Sequence, residues 1–164
     1  MIRKVFYSFH YKPDCQRAGM VRNMGVIEGE APVSDNDWEK VTKGGDAAIE
    51  RWINGQMQGK SCVIVLAGAG TAKRKWIDYE IKKAWVDKKG LLAVHIHHLK
   101  NLAGEQSAPG ANPFAHFSLD EKPFSTVVRT YNPPYSDSKE AYNYIKDNLA
   151  SWVEAAITIR EQHG

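Results

Sequence analysis

At 164 residues, the chain has the size of one domain with a substantial core, since domains most often hold roughly 100 to 150 residues. Its composition, 43% apolar and 25% charged, is that of an ordinary globular protein, and no apolar run approaches the roughly 20 residues needed to span a bilayer. The net charge of +3 is dispersed, and the longest basic run is Lys73-Arg74-Lys75, which argues against nucleic acid or a membrane as the main partner. We therefore expect residues 1–164 to form a single domain.

The compartment is predicted from the amino terminus and the cysteines. The first residues alternate like a strand and lack the apolar block and cleavage site of a signal peptide, so we expect a cytoplasmic protein. Cys15 and Cys62 lie far apart without metal-ligand spacing and are expected to be reduced thiols, Cys62 in the core.

The first half of the chain alternates between strand and helix patterns. Residues 4–9 predict a strand that stops at the loop 10–14, where proline prevents continued pairing. Residues 14–24 predict a helix, and residues 25–43 predict a long loop with at most a brief edge strand or helical turn. Residues 46–57 predict a second helix. The run 61–67 is apolar without alternation, as in a central strand covered on both faces.

The second half continues the alternation. Residues 76–86 predict an amphipathic helix, 91–97 a second apolar strand, 99–123 a long loop packed by Phe114 and Phe117, and 126–131 a strand at a sheet edge. A final helix starts at the capping-box pair Asp137 and Glu140. The order predicts an α/β fold with a mostly parallel sheet and helices on both faces.

Such sheets bind ligands outside the carboxyl ends of their strands. The predicted topology brings together at that edge Ser8, Phe9 and His10 after the first strand, Gly68 and Gly70 after the central strand, and Trp76 and Glu80 on the following helix. Asp37, in the long loop, is a further candidate.

Glu80 lies at the shoulder of the apolar helix face formed by Ile77, Ile81, Ala84 and Trp85, one turn after Trp76. A half-desolvated carboxylate beside an aromatic ring suits acid–base or charge-stabilising chemistry. Alternatively, Glu80 extends into water and pairs with Lys83, three residues on. Spacing leaves both interpretations open.

Other chemistries lack their signatures. Gly68-Ala-Gly70 is no dinucleotide fingerprint and more simply serves a tight turn, and no P-loop, nucleophile elbow or HExxH motif is present. His95 and His97 face one way and His98 the other, without a partner spaced to complete a metal site, so no metal is expected. His10 is either a ligand contact or a solvated loop residue.

Several segments together resemble the bacterial TIR-like family, and most closely the TIR proteins of the Thoeris anti-phage system. They are residues 5–11, Arg22-Asn23, Trp52-Ile-Asn-Gly55, residues 63–66, Arg74-Lys-Trp-Ile-Asp-Tyr-Glu-Ile81 and Asn112-Pro-Phe114. The step from Trp76 to Glu80 is the most diagnostic, and the similarity covers about residues 1 to 117.

The resemblance implies that Glu80 is the catalytic residue that cleaves NAD at the nicotinamide–ribose bond, with NAD as substrate and no separate cofactor. Ser8, Phe9, His10, Asp37, Gly68 and Trp76 are then candidates for substrate contacts. It also implies self-association and a soluble nucleotide messenger that reaches a downstream effector. Because many TIR domains are adaptors, a non-catalytic interaction module is the alternative. A nucleotide-binding protein of response-regulator shape is disfavoured, since the first strand lacks that family's acidic cluster.

Overall fold

A five-stranded parallel sheet forms the centre of the protein. In a computed structural model of the chain, the structure describes residues 3–29 and 40–164. The strands of this sheet are β1 (Lys4–Ser8), β2 (Glu28–Gly29), β3 (Cys62–Ala67), β4 (Gly90–His95) and β7 (Arg129–Tyr131). They lie side by side in the order β2-β1-β3-β4-β7. A separate antiparallel pair consists of β5 (Ser118–Leu119) and β6 (Lys122–Pro123). The helices are α1 (Tyr11–Arg22), α2 (Gly45–Met57), α3 (Lys75–Val86) and α4 (Ser138–Gln162), with a 3-10 turn at Phe124–Thr126.

The central strand is β3, as its unbroken apolar sequence predicts. All six of its side chains are buried, and it pairs with β1 on one side and β4 on the other. A strand covered on both faces needs apolar side chains pointing both ways, which is why this run does not alternate.

Helices cover both faces of the sheet and divide the core into two layers. Side chains of α1 and α4 pack on one face around Ile64 and Leu92. Those of α2 and α3 pack on the other around Val63 and Val65. The predicted α/β fold with a mostly parallel sheet and helices on both faces is confirmed.

The long carboxyl-terminal helix is confirmed together with its cap. The Asp137 side chain accepts a hydrogen bond of 3.0 Å from the backbone N–H of Glu140. The apolar side chains on one face of this helix are buried against the sheet: Ala141, Ile145, Leu149, Trp152 and Ala156. None of the helices in the described part of the chain combines the length and the apolar character needed to cross a bilayer.

Some predicted boundaries are wrong. Residues 11–14 are the first turn of α1 and no loop, because the first turn of a helix tolerates Pro13, whose missing N–H has no intrahelical partner there. The predicted strand 126–131 shortens to β7, because the backbone N–H groups of Val127 and Val128 both bond to the carbonyl of Phe124 in a local turn. The predicted loop 99–123 contains the β5–β6 pair, whose two-residue strands are too short to show a pattern.

Candidate functional site

Glu80 lies on the buried face of α3, where it is only 7% exposed. The helix packs Ile77, Ile81 and Ala84 into the core, and this packing carries Glu80 inward toward the carboxyl end of β1. There the Ser8 hydroxyl donates a hydrogen bond of 2.7 Å to Glu80 Oε1. The carboxyl group is therefore held from both sides, by its own helix and by the neighbouring strand.

This geometry decides between the two interpretations of Glu80 that its spacing left open. Lys83 does not reach Glu80 and instead pairs with Asp87, Nζ to Oδ2, at 2.7 Å. The interpretation of Glu80 as a surface carboxylate paired with Lys83 is wrong.

Burial dominates the electrostatics of this carboxyl group. Removal from water raises the pKa of Glu80 from 4.5 to about 8, and the Ser8 hydrogen bond opposes that rise. Burial raises the pKa because it penalises the charged form, whereas a donated hydrogen bond favours it. Glu80 is consequently close to its point of half-ionisation at neutral to mildly alkaline pH.

Glu80 opens onto a cavity of ≈ 680 Å³ at the carboxyl edge of the sheet. This volume falls within the roughly 300–1,000 Å³ of small-molecule sites. The cavity is lined by aromatic side chains (Phe6, Tyr7, Phe9, Tyr11, Trp52, Trp76), basic side chains (Lys12, Arg22, Lys73, Arg74, Lys75) and His10, Ala18, Ile53, Gln56, Gly70, Ala72, Ile77 and Glu80. Among the described lining residues, Glu80 is the single carboxylic acid.

The candidate substrate contacts fall into two groups. Phe9, His10 and Trp76 line the cavity. Ser8 is 1% exposed and does not line it, because its hydroxyl points at Glu80. Asp37 lies outside the described residues.

Gly68 is also absent from the lining, and close packing explains why a glycine stands there. A Cβ at Gly68 would come too close to the Asp14 carboxylate, and a Cβ at Gly110 would overlap the Gly68 carbonyl. Gly70, two residues further on, is the glycine of this turn that lines the cavity.

The three histidines at the carboxyl end of β4 (His95, His97 and His98) form no metal centre in the described part of the chain, where no cluster of His, Cys, Asp and Glu has the arrangement to hold an ion. Their rings contact one another in sequence, with centroids 5.9 Å apart for His95 and His97 and 4.0 Å apart for His97 and His98. Burial, then the neighbouring histidines, lowers the pKa of His97 to about 4, so this ring is neutral near pH 7.

Sequence reasoning missed several lining residues. Trp52, on the predicted helix 46–57, is only partly buried and lines the cavity. Arg74 belongs to the basic run Lys73-Arg74-Lys75, and all three of these residues line the cavity. The signal available in the sequence was the position of that run, immediately before the helix that carries Glu80.

The arrangement favours chemistry in which one carboxylate stabilises a developing positive charge. Glycosidases that use two carboxyl groups need a second one about 5 to 9.5 Å away, and the described lining offers no such partner. The aromatic walls suit flat rings, and the basic side chains suit an anionic ligand.

Fold and site together define a TIR-like α/β protein with a buried glutamate at the carboxyl edge of its sheet. Residues 6–101 match the family described as Thoeris protein ThsB, TIR-like domain, and the chain belongs to this family. The match contains the end of β1 from Phe6 onward, Trp76 and Glu80.

A named relative comes from Bacillus cereus (strain MSX-D12). The chain is 36% identical over 119 residues to its "Putative cyclic ADP-D-ribose synthase ThsB1". The alignment covers 70% of this chain and 62% of the relative, so the chain matches less than two thirds of that protein's length.

Proposed function

We propose that this protein is an NAD-processing enzyme of anti-phage defence, which cleaves the nicotinamide–ribose bond and makes a cyclic or otherwise modified ADP-ribose signal. The observation that carries the proposal is Glu80, a buried carboxyl group that opens onto a cavity of nucleotide-compatible size. Membership of the Thoeris TIR-like family and the printed name of the Bacillus cereus relative support the same reaction.

The reaction needs one negative charge and no metal. When the bond between ribose C1′ and the pyridinium nitrogen breaks, its electron pair moves to nicotinamide, which leaves neutral, and the ribose acquires oxocarbenium character. The Glu80 carboxylate stabilises that positive charge. Attack by water, or by a nucleophile within the same ADP-ribose, then forms the new bond to C1′ and releases one proton.

Substrate binding itself favours the ionised form of Glu80. The nicotinamide ring of NAD is cationic, and a positive charge beside a carboxyl group lowers that group's pKa. A glutamate that is mostly protonated near pH 7 therefore loses its proton when NAD binds. Ser8, whose hydroxyl donates to Oε1, positions the carboxylate and so acts through Glu80.

The remaining lining residues suit the other parts of NAD. Phe9 and Trp76 flank the nicotinamide or the ribose, and His10 bonds ribose or phosphate oxygens. Asp37, which lies outside the described residues, is proposed from the sequence alone to bond the same oxygens. No described residue is evidently placed to bind the adenosine end, so a second subunit completes the site and activity depends on self-association. The product is a soluble messenger for a downstream effector, and the protein works in the cytoplasm, where its free thiols Cys15 and Cys62 stay reduced.

A non-catalytic interaction module would have no use for this glutamate. Taking a carboxyl group out of water costs stability whenever it ionises, and an apolar residue would pack the same helix face without that cost. The burial of Glu80 thus favours the enzyme over the adaptor.

The experiment is to incubate the purified protein with NAD, alone and with lysate of phage-infected cells, and to follow nicotinamide release together with the mass of the ribosyl product. Cleavage with cyclisation yields a product one water lighter than ADP-ribose, whereas hydrolysis yields ADP-ribose itself. Intact NAD under both conditions and at high protein concentration would refute the proposal.

A further inference from the structure

The cavity contains an arginine that the reaction at Glu80 does not use. Arg74 Nε donates to the Gly70 carbonyl at 2.9 Å, which fixes the guanidinium group over the turn before α3. Among the described residues, its terminal nitrogens have no hydrogen-bond partner. Lys75, the next lining residue, is by contrast already paired with Asp46. Within the described part of the chain, Arg74 is thus an oriented cation without a counter-ion.

Gly70 leaves an open corner between this arginine and His10. A Cβ at Gly70 would lie 3.7 Å from Arg74 Nη2 and 3.7 Å from His10 Nδ1, so both nitrogens border the space beside the glycine. His10 Nδ1 is buried and has no hydrogen-bond partner among residues 3–29 and 40–164. All three residues line the cavity that contains Glu80.

The positive side chains at this corner favour the binding of an anion. Burial, and then the charge of Arg74, lowers the pKa of His10, so the imidazole is neutral beside a positive guanidinium group. Lys73 adds a further positive charge from a left-handed backbone conformation, φ 67°, which non-glycine residues seldom adopt. A phosphate group is a suitable ligand for such a pair, since its oxygens accept hydrogen bonds of roughly 2.8 Å from a guanidinium N–H and from an imidazole N–H.

We propose that Arg74 and His10, with Gly70 between them, form a phosphate subsite that binds the diphosphate of the nucleotide. This inference rests on the proposed function and adds which residues hold the phosphates. Arg74 supplies the charge and the planar donor geometry, His10 supplies a second polar contact, and the missing side chain of Gly70 admits the phosphate close to the backbone.

Calorimetric titration with ADP and with adenosine tests the subsite without any catalysis. Arg74→Met should weaken ADP binding at least tenfold, because a charge-assisted contact is lost. Arg51→Met is the matched control, since Arg51 is exposed on α2 and does not line the cavity, and it should keep ADP affinity within about twofold. Binding of adenosine, which has no phosphate, should not respond to either change.

Two further measurements cover the case in which Arg74→Met also alters the turn. Gly70→Ala adds a methyl group at ordinary contact distance from both neighbours, so it should fold while filling the corner and weakening ADP binding. In the unmodified protein, ADP should raise the pKa of His10, followed by NMR of its imidazole ring, because phosphate charge stabilises the imidazolium. Adenosine should leave it unchanged.

Equal ADP affinity in Arg74→Met and Arg51→Met, an unchanged His10 titration, or no ADP binding by the parent protein would overturn the subsite. These outcomes differ from failure of the proposed function. If the protein binds ADP through Arg74 but leaves NAD intact, the proposed phosphate subsite stands and the proposed enzymatic function is refuted. If the Arg74→Met variant cleaves NAD with unchanged kcat/KM, the proposed enzymatic function stands and the proposed phosphate subsite is refuted.

Discussion

Replacing Glu80 by glutamine should stabilise the folded protein at neutral and alkaline pH. The unfolded chain releases the Glu80 proton near the ordinary pKa of 4.5, whereas the folded chain keeps it up to about 8 because the group is buried. Between these values the unfolded state binds fewer protons, so the free energy of unfolding falls as pH rises. The stability is fully present below pH 4.5 and the loss is complete above pH 8.

The size of the effect follows from the same two pKa values. At 1.36 kcal/mol per pKa unit, burial of Glu80 costs about 3 kcal/mol of stability near pH 7 and about 5 kcal/mol above pH 9. Glutamine is neutral throughout and can still accept the Ser8 hydrogen bond through its amide oxygen. Near pH 7 the variant should therefore melt roughly 6–12 °C above the parent, at about 2–4 °C per kcal/mol for a chain of this size.

Melting temperatures of the parent and Glu80→Gln should be measured between about pH 4.5 and pH 9. The two curves should nearly coincide at the acidic end and separate as pH rises. Glu50→Gln, an exposed position on α2, is the control and should follow the parent throughout. Equal melting of parent and Glu80→Gln over the whole range would show that Glu80 is solvated, and the account of its burial would fail.

Three other changes test separate parts of the account. Ser8→Ala removes the hydrogen bond that lowers the Glu80 pKa. The value of kcat/KM for NAD should therefore fall about tenfold near pH 7, and the rising limb of its pH profile should move to higher pH. Ser151→Ala, on the exposed side of α4, is the control and should change neither. An unshifted limb would exclude a positioning role for Ser8. Val65→Asp places a charge at a fully buried position of β3, which costs several kcal/mol against a typical stability of about 5 to 15, so the circular dichroism of the variant should be that of an unfolded chain. Parent-like melting would contradict the central position of β3. Activity per molecule should rise with protein concentration, and a high rate that stays flat over a roughly hundredfold dilution would count against activation by assembly.

The fold was largely predictable because its sequence signals are local and strong. The unbroken apolar run of β3, the stripe of α4 and the Asp137 cap each follow from one short segment. Boundaries set by single backbone hydrogen bonds were not predictable. The shortening of β7 depends on the Phe124 carbonyl, and nothing in the residue types shows which N–H it accepts.

The candidate site was predictable in part for a similar reason. Placement at the carboxyl ends of parallel strands brought Phe9, His10, Trp76 and Glu80 to one edge, and all four line the cavity. Other features of the site depended on the three-dimensional arrangement of side chains. Spacing could not show that Ser8 would turn to Glu80, or that Glu80 would be buried and Lys83 would pair with Asp87.

Nicotinamide release by the parent and by Glu80→Gln, measured on NAD with folded preparations of equal concentration, tests the central claim most directly. If Glu80 stabilises the developing ribose cation, the variant should turn over roughly 100-fold more slowly or worse, equivalent to about 2.7 kcal/mol of barrier. Its affinity for NAD should change much less, because the charge acts chiefly on the transition state. A Glu80→Gln protein that releases nicotinamide at the parent rate would contradict the assignment of Glu80 as the catalytic residue.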